Sequence, residues 1–221
     1  MKMPQGEGSH PAVVLVHGGL WLVGHISQMT GLANHLTASG FITVNTTYRL
    51  ESPGYPGAVE DVACAVAYAR TLTDSKVYLV GHSAGAHIGA LVALTGDRYR
   101  GECPHPGDPR PDGFVGLSGP YDISLLGFVV VPFLGVGVDE APEVWEAANP
   151  LSHIQANLGL PVLLIHGAAD PVVPFAFSVQ FSEAIAAAGG EVTLELLADV
   201  DHAGARLVDN VGELVSTWLS G

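Results

Sequence analysis

Residues Lys76-Val77-Tyr78-Leu79-Val80 run without a break into Gly81-His82-Ser83-Ala84-Gly85 and on into an apolar, small-residue stretch that ends at Thr95. The first five read as a strand. They are short, rich in Val and Leu and apolar on consecutive positions, as strands buried on both faces of a parallel sheet are. Residues 84–95 read as a helix. A G-x-S-x-G turn between strand and helix is sharp, and it pushes the Ser83 hydroxyl out of the top edge of the sheet. Gly81 and Gly85 leave room for the crowded backbone. The helix directs free amide N–H groups and its positive dipole end to the same place. The five-residue pattern alone occurs by chance; its setting makes Ser83 a candidate nucleophile. His82 and His87 flank it, and both are read as structural, because a base one residue away points off the turn.

Outward from this unit the chain alternates. Further short apolar runs lie at 12–16, 41–46, 113–117, 162–166 and 192–197. Helical stretches fall at about 27–39, 57–72, 176–188 and 204–219, with Ala58, Val62, Ala65, Val66 and Ala69 at helical spacing, as are Leu207, Val211, Leu214, Val215 and Trp218. Gly40, Gly189 and Gly190 stand where helices should stop. The order implies one α/β domain over residues 1–221, an open, mainly parallel sheet of about six strands flanked by helices. Residues 1–11 are polar and rich in Gly and Pro and are expected to be a flexible stub. Residues 119–161 form a long connection leaving the carboxyl end of a strand, where ligands of such sheets bind. Its apolar run 125–138 reads as a segment packed over the sheet edge or as an acyl-binding wall or lid.

Composition removes several classes. The 221 residues carry 22 Asp and Glu against 8 Lys and Arg, a net charge of −14. Binding nucleic acid or an anionic membrane needs clustered bases, so neither is an expected partner. Charged residues are only 14%, too few for a disordered polyelectrolyte. The run 125–138 is interrupted by Gly127, Pro132, Gly135 and Gly137 and falls short of the ~20 residues of a membrane span. Residues 1–11 lack the apolar centre of a signal peptide. No His, Cys or acid spacing suggests a metal site, and no cofactor is expected. Cys64 and Cys103 should lie on the same side of the sheet, which makes a disulfide feasible but not required. Localisation stays open between cytoplasmic and secreted, with a bridge favouring the latter.

Three further post-strand turns complete a reacting centre around Ser83. Run 12–16 ends in His17-Gly18-Gly19-Leu20-Trp21. A glycine pair there lets backbone amides face a substrate, and the N–H groups of Gly19, Leu20 and Ala84 would converge on a developing oxyanion. Run 162–166 leads into Gly167-Ala168-Ala169-Asp170. An acid there can accept from an imidazole Nδ1–H and fix its tautomer. Asp139, Asp199 and Asp201 are rivals without that setting. Run 192–197 leads to Asp201-His202-Ala203-Gly204. His202 is the last of ten histidines, on a loop that can reach both Ser83 and Asp170 as general base and then acid. His17, His82 and His166 belong to glycine turns; His10, His25, His35, His105 and His153 lie in loops or on helix surfaces. Trp21 is expected to line a substrate pocket.

These residues, together with Leu117-Ser118-Gly119-Pro120-Tyr121-Asp122, resemble the α/β-hydrolase superfamily, and more narrowly its serine esterases carrying His-Gly-Gly-x-Trp, a group that includes carboxylesterases and arylformamidases. The order Ser, Asp, His is the order of that fold. The resemblance covers residues 12–219. It implies a triad of Ser83, Asp170 and His202, oxyanion amides from Gly19, Leu20 and Ala84, and Tyr121-Asp122 shaping a loop near the site, with Tyr121 at the substrate pocket beside Trp21. It also implies a core lacking the first two strands and the large cap of that fold. Run 41–46 would then be a sheet edge needing protection, through a homodimer for instance. The function expected is a serine carboxylesterase acting on short- to medium-chain acyl esters of small molecules. An arylformamidase acting on N-formylkynurenine shares every residue, and a feruloyl, acetyl-xylan or polyester esterase is a further variant. A non-catalytic hydrolase-fold binding module is the remote alternative.

Overall fold

The computed structural model describes residues 1–6 and 8–221. Its elements run β1 (Ala12–Val16), α1 (Thr30–Ala38), β2 (Ile42–Thr46), α2 (Gly57–Arg70), β3 (Val77–His82), α3 (Ala84–Thr95), β4 (Gly113–Leu117), α4 (Val131–Leu134), α5 (Pro142–Ala147), β5 (Val162–Gly167), α6 (Ala176–Ala187), β6 (Val192–Leu197) and α7 (Val208–Ser220). The six strands form one sheet in the order β2-β1-β3-β4-β5-β6. Every neighbouring pair is parallel. This is the α/β sheet expected from the alternation, and strand and helix bounds agree to within a few residues.

Period-two geometry sends alternate strand residues to opposite faces, and each face finds its own helices. Val14, Val16, Leu79, Phe114 and Leu164 pack under α2, α3 and α6, with Val62, Val66, Ile88, Leu91 and Phe181. Val13, Leu15, Tyr78, Val80, Val115 and Ile165 pack under α1 and α7, with Leu32, Leu36, Val211, Val215 and Leu219. The α7 residues show why the helix docks. Val211, Val215 and Leu219 recur every four positions and are buried, while Glu213 points to solvent. Each such side chain contributes about 1.5–3 kcal/mol on burial. The central strands β1, β3, β4 and β5 are buried throughout because both faces are covered. β6 is the outer strand beyond β5 and is only half-buried, with Thr193 and Leu196 exposed.

At the other edge β2 is met by the N-terminal segment. Lys2 and Thr43 exchange backbone hydrogen bonds of 2.8 and 3.0 Å in an antiparallel bridge. The segment read as a flexible stub therefore makes a defined contact, and part of the edge expected to need protection is already paired. The connection at 119–161 folds as a series of short turns. Ile123, Val130, Phe133 and Leu134 are buried in the core, while Leu125, Phe128 and Val138 are exposed. The run 125–138 is thus half anchor and half surface.

The disulfide left open by the sequence is formed. Cys64 on α2 is bonded to Cys103 in the loop after α3, with Cα atoms 5.3 Å apart and a sequence separation of 39. A closed loop of that length limits the unfolded ensemble by about 4 kcal/mol in the chain-entropy account. Cys64→Ala/Cys103→Ala is expected to lower the urea unfolding free energy by about 2–4 kcal/mol. An unchanged value measured side by side with the oxidised parent would contradict this.

Candidate active site

All strands being parallel, their carboxyl ends share one edge of the sheet, and the turns leaving β1, β3, β5 and β6 meet there. Ser83 occupies the turn between β3 and α3 with φ 54° and ψ −121°, a backbone that L-residues rarely adopt. Two close approaches hold it. A Cβ on Gly81 would lie 2.3 Å from the Gly85 carbonyl oxygen, and one on Gly85 would lie 2.4 Å from that of His17. Only glycine lets the turn close on itself and on β1 at once. The Ser83 N–H donates to the Leu117 carbonyl at 2.8 Å, tying the turn to β4.

The three side chains predicted to work together are in contact. Ser83 Oγ lies 2.9 Å from His202 Nε2. His202 Nδ1 donates to Asp170 Oδ2 at 2.7 Å, so the remaining nitrogen faces the hydroxyl. Asp170 Oδ1 accepts from the amides of Val172 and Val173 at 2.8 and 2.9 Å. Burial alone would raise the Asp170 carboxyl. The Val173 amide, His202 and the Val172 amide outweigh it and hold the carboxyl below its ordinary value. The acid therefore stays ionised and accepts from the imidazole.

His82 and His166, both placed by the sequence in glycine turns, hold this row from behind. His82 Nε2 lies 2.9 Å from the His202 carbonyl oxygen, which obliges that nitrogen to donate. The residue next to the serine thereby fixes the backbone of the facing histidine. Burial pushes His82 down to about 3, so it is a neutral donor. His166 donates from Nε2 to the Val173 carbonyl at 2.9 Å and sits 3.3 Å from Asp170 Oδ2. Its Nδ1 accepts from Ser178 Oγ at 2.7 Å. The signal for both roles is present in the sequence, since each stands beside a glycine at the carboxyl end of a strand. Their partners are distant in sequence and were not legible.

The turn after β1 carries three consecutive residues at positive φ, Gly19, Leu20 and Trp21. Gly19 closes it by accepting from the amides of Leu22 and Val23. Among the described residues the N–H groups of Gly19, Leu20 and Ala84 donate to no protein acceptor. Ala84 heads α3, where first-turn amides lack helical partners. Gly18, Gly19 and Leu20 share a surface cleft of about 240 Å³ with Ser83, His82, Val172 and His202. Such a cleft can present a carbonyl to the Ser83 hydroxyl with unpaired amides beside it.

Trp21 and Tyr121, both expected at the substrate pocket, do not line the cleft and are buried in the core. Trp21 is 1% exposed and stacks on Phe133 at 5.3 Å. Its Nε1 donates to His87 Nδ1 at 3.0 Å, and His87 Nε2 donates to the Ala148 carbonyl at 2.8 Å. This chain clamps the positive-φ turn to α3 and to the 119–161 connection. Tyr121 is fully buried and stacks on Phe181 at 4.4 Å. Asp122 pins the start of that connection, accepting from Ser124 and Asn149. Trp21 is drawn to Phe133 in the long connection and Tyr121 to Phe181 on α6, pairings that no local pattern indicates. In their place the cleft is lined by Gln28, Val172, Ala203 and Arg206.

The BD-FAE family model matches residues 1–185. The chain belongs to the BD-FAE family. Esterase LipC of Mycobacterium tuberculosis is 31% identical over 80% of this chain and 48% of its own length. Isoprenylcysteine alpha-carbonyl methylesterase ICME of Arabidopsis thaliana is 28% identical over 92% of this chain and 52% of its own. The chain spans about half the length of the curated relatives it matches. A truncated carbohydrate esterase from gut microbiota superposes with a TM-score of 0.86 at 19% identity, covering 98% of this chain and 87% of that one. Butyrate-bound esterase 2 of Thermogutta terrifontis gives 0.78 at 21%, covering 99% and 85%. The likeness to these structures shows the fold, which in this BD-FAE member is that of the α/β-hydrolase superfamily, as its turns suggested.

Burial sets a pH dependence on this BD-FAE domain. His82 is pushed down to about 3 and His87 to about 4 from the ordinary 6.5. Between those values and 6.5 the unfolded chain binds more protons than the folded one, so stability falls as pH is lowered through that window. The urea midpoint is expected to fall steadily from pH 6.5 to 4. His87→Gln should show a shallower slope, having lost a contribution of order 3 kcal/mol. A profile unchanged by the substitution would contradict the neutral, buried state of His87.

Proposed function

We propose that this chain is a serine carboxylic ester hydrolase. Ser83 attacks the ester carbonyl while His202 takes the hydroxyl proton. The amides of Gly19, Leu20 and Ala84 receive the oxyanion. His202 then protonates the leaving alkoxide, and a water activated by the same imidazole releases the acid from the acyl-serine. Asp170 keeps Nδ1 protonated and stabilises the imidazolium. The observation that carries this reading is the unbroken row from Asp170 Oδ2 through His202 to Ser83 Oγ, at 2.7 and 2.9 Å. The unpaired amides beside it and the esterases among the relatives support it. No helix among the described residues is long and apolar enough to cross a membrane. The Cys64–Cys103 bond supports a working place in an oxidising compartment.

The small cleft favours short to medium acyl groups. It lies at the surface, with Leu20 and Val172 on its rim about half exposed, and this favours alcohols too large to be enclosed. Likeness to carbohydrate esterases fits the same reading. A series of 4-nitrophenyl esters from acetate to decanoate tests it, with N-formylkynurenine alongside. Turnover is expected to be highest between acetate and butyrate; formamide turnover exceeding it would favour an arylformamidase instead. Ser83→Ala is expected to lower kcat by at least about 10³-fold with the fold retained. Undiminished turnover in Ser83→Ala would overturn the assignment.

A further inference from the structure

Arg206 is a cation at the cleft in a strongly acidic chain. It lines the same cleft as Ser83, His202, Gly19 and Leu20. It ends the short turn Gly204–Arg206 that follows the His202 loop. Its Nη1 donates to the Gln28 backbone carbonyl at 3.0 Å. A guanidinium carries five N–H donors in a planar fork, and this bond uses one. Arg49, Arg70 and Arg110 each face a carboxylate at 2.6–2.7 Å. Arg206 has no carboxylate within 4.0 Å among the described residues. The Gln28 side-chain amide, in the same cleft, makes no hydrogen bond within the described residues.

The support around it is firm. The Gly204 amide donates to Asp201 Oδ1 at 2.7 Å, and Asn210 Nδ2 donates to the Gly204 carbonyl at 3.0 Å. Arg206 is half-buried and held at one corner by Gln28. Its remaining donors are thus ordered before any ligand arrives, which lowers the entropy lost on binding. The chemistry of the row sets which part of an ester lies here. His202 Nε2 must hand a proton to the leaving oxygen, so the alcohol portion rests against the His202 loop, whose Ala203 and Arg206 line the cleft.

We propose that Arg206, assisted by the Gln28 side-chain amide, binds a carboxylate on the alcohol portion of the ester, making this a site for esters of anionic alcohols. The proposal rests on the ester-hydrolase reading of Ser83 and His202. Arg206 in this role is a specificity residue. It receives the anion in a two-pronged bond, as guanidinium and carboxylate geometry allow. The net charge of −14 slows the approach of any anion. A local cation is what allows such an ester to be held despite that field.

The test compares wild type, Arg206→Gln and Arg206→Lys on two matched pairs. The first is 4-carboxyphenyl acetate against phenyl acetate, with the carboxylate on the alcohol. The second is monophenyl succinate against phenyl butyrate, with the carboxylate on the acyl group. Comparing the anionic-to-neutral ratio of kcat/KM between wild type and variant cancels the intrinsic reactivity of the esters. Arg206→Gln is expected to lower the first ratio by about fivefold or more, through KM, and the second by less than about twofold. Arg206→Lys should restore part of the loss, and added salt should shrink the wild-type ratio. An unchanged first ratio would overturn the proposal, leaving Arg206 as a tie between the Gln28 turn and α7. A fall in the second ratio alone would overturn the alcohol-side assignment. Absence of phenyl acetate turnover by the wild type would overturn the ester-hydrolase reading itself, and this proposal with it.

Discussion

The site depends on one backbone constraint, the positive-φ conformation of Ser83 between β3 and α3. A residue at φ 54° and ψ −121° carries a local cost on the order of 1–3 kcal/mol, which neighbouring structure must offset. Here β1, β4 and α3 all press on the turn. Gly81 and Gly85 admit the approach, the Leu117 carbonyl takes the Ser83 amide, and the buried strands around them leave no space for relaxation. The strain is kept because it projects the hydroxyl away from the sheet and places the Ala84 amide beside it.

Everything else at the site is held to that turn at one remove. His82 grips the carbonyl of His202, so β3 and the His202 loop are one unit. His166 and the Val172 and Val173 amides hold Asp170. Trp21 and His87 join the amide-bearing turn to the helix that Ser83 begins. Buried, neutral imidazoles thus serve as fixed donors and acceptors behind the reacting row. That is a use of histidine distinct from the proton transfer assigned to His202.

The sheet and the row were legible because both follow from local pattern. Consecutive apolar residues at 76–80 and 162–166 mark covered strands, and a turn residue after each strand end reaches the same edge once all strands are parallel. Ser83, Asp170 and His202 could therefore be placed from their positions relative to strands. Trp21 and Tyr121 could not, because their surroundings are set by the course of the 119–161 connection, whose short turns and Gly127 break any period, and by its docking on α6. Phe133 and Phe181, more than fifty residues away in sequence, decide that both rings are buried. Arg206 was passed over for a related reason. The chemistry read from the turns uses hydroxyl, imidazole, carboxylate and amides and calls for no Lys or Arg, and nothing local marks which of the arginines without an acid partner lies at the cleft.

The central claim is that the Asp170–His202 pair makes Ser83 a nucleophile. Its most direct test is to treat the folded protein with a serine-directed fluorophosphonate and map the adduct by peptide mass spectrometry. The account predicts a single adduct on Ser83, formed at a rate that collapses in His202→Ala while the fold persists. Absence of the adduct, its formation on another serine, or labelling of Ser83 at an undiminished rate in His202→Ala would contradict it.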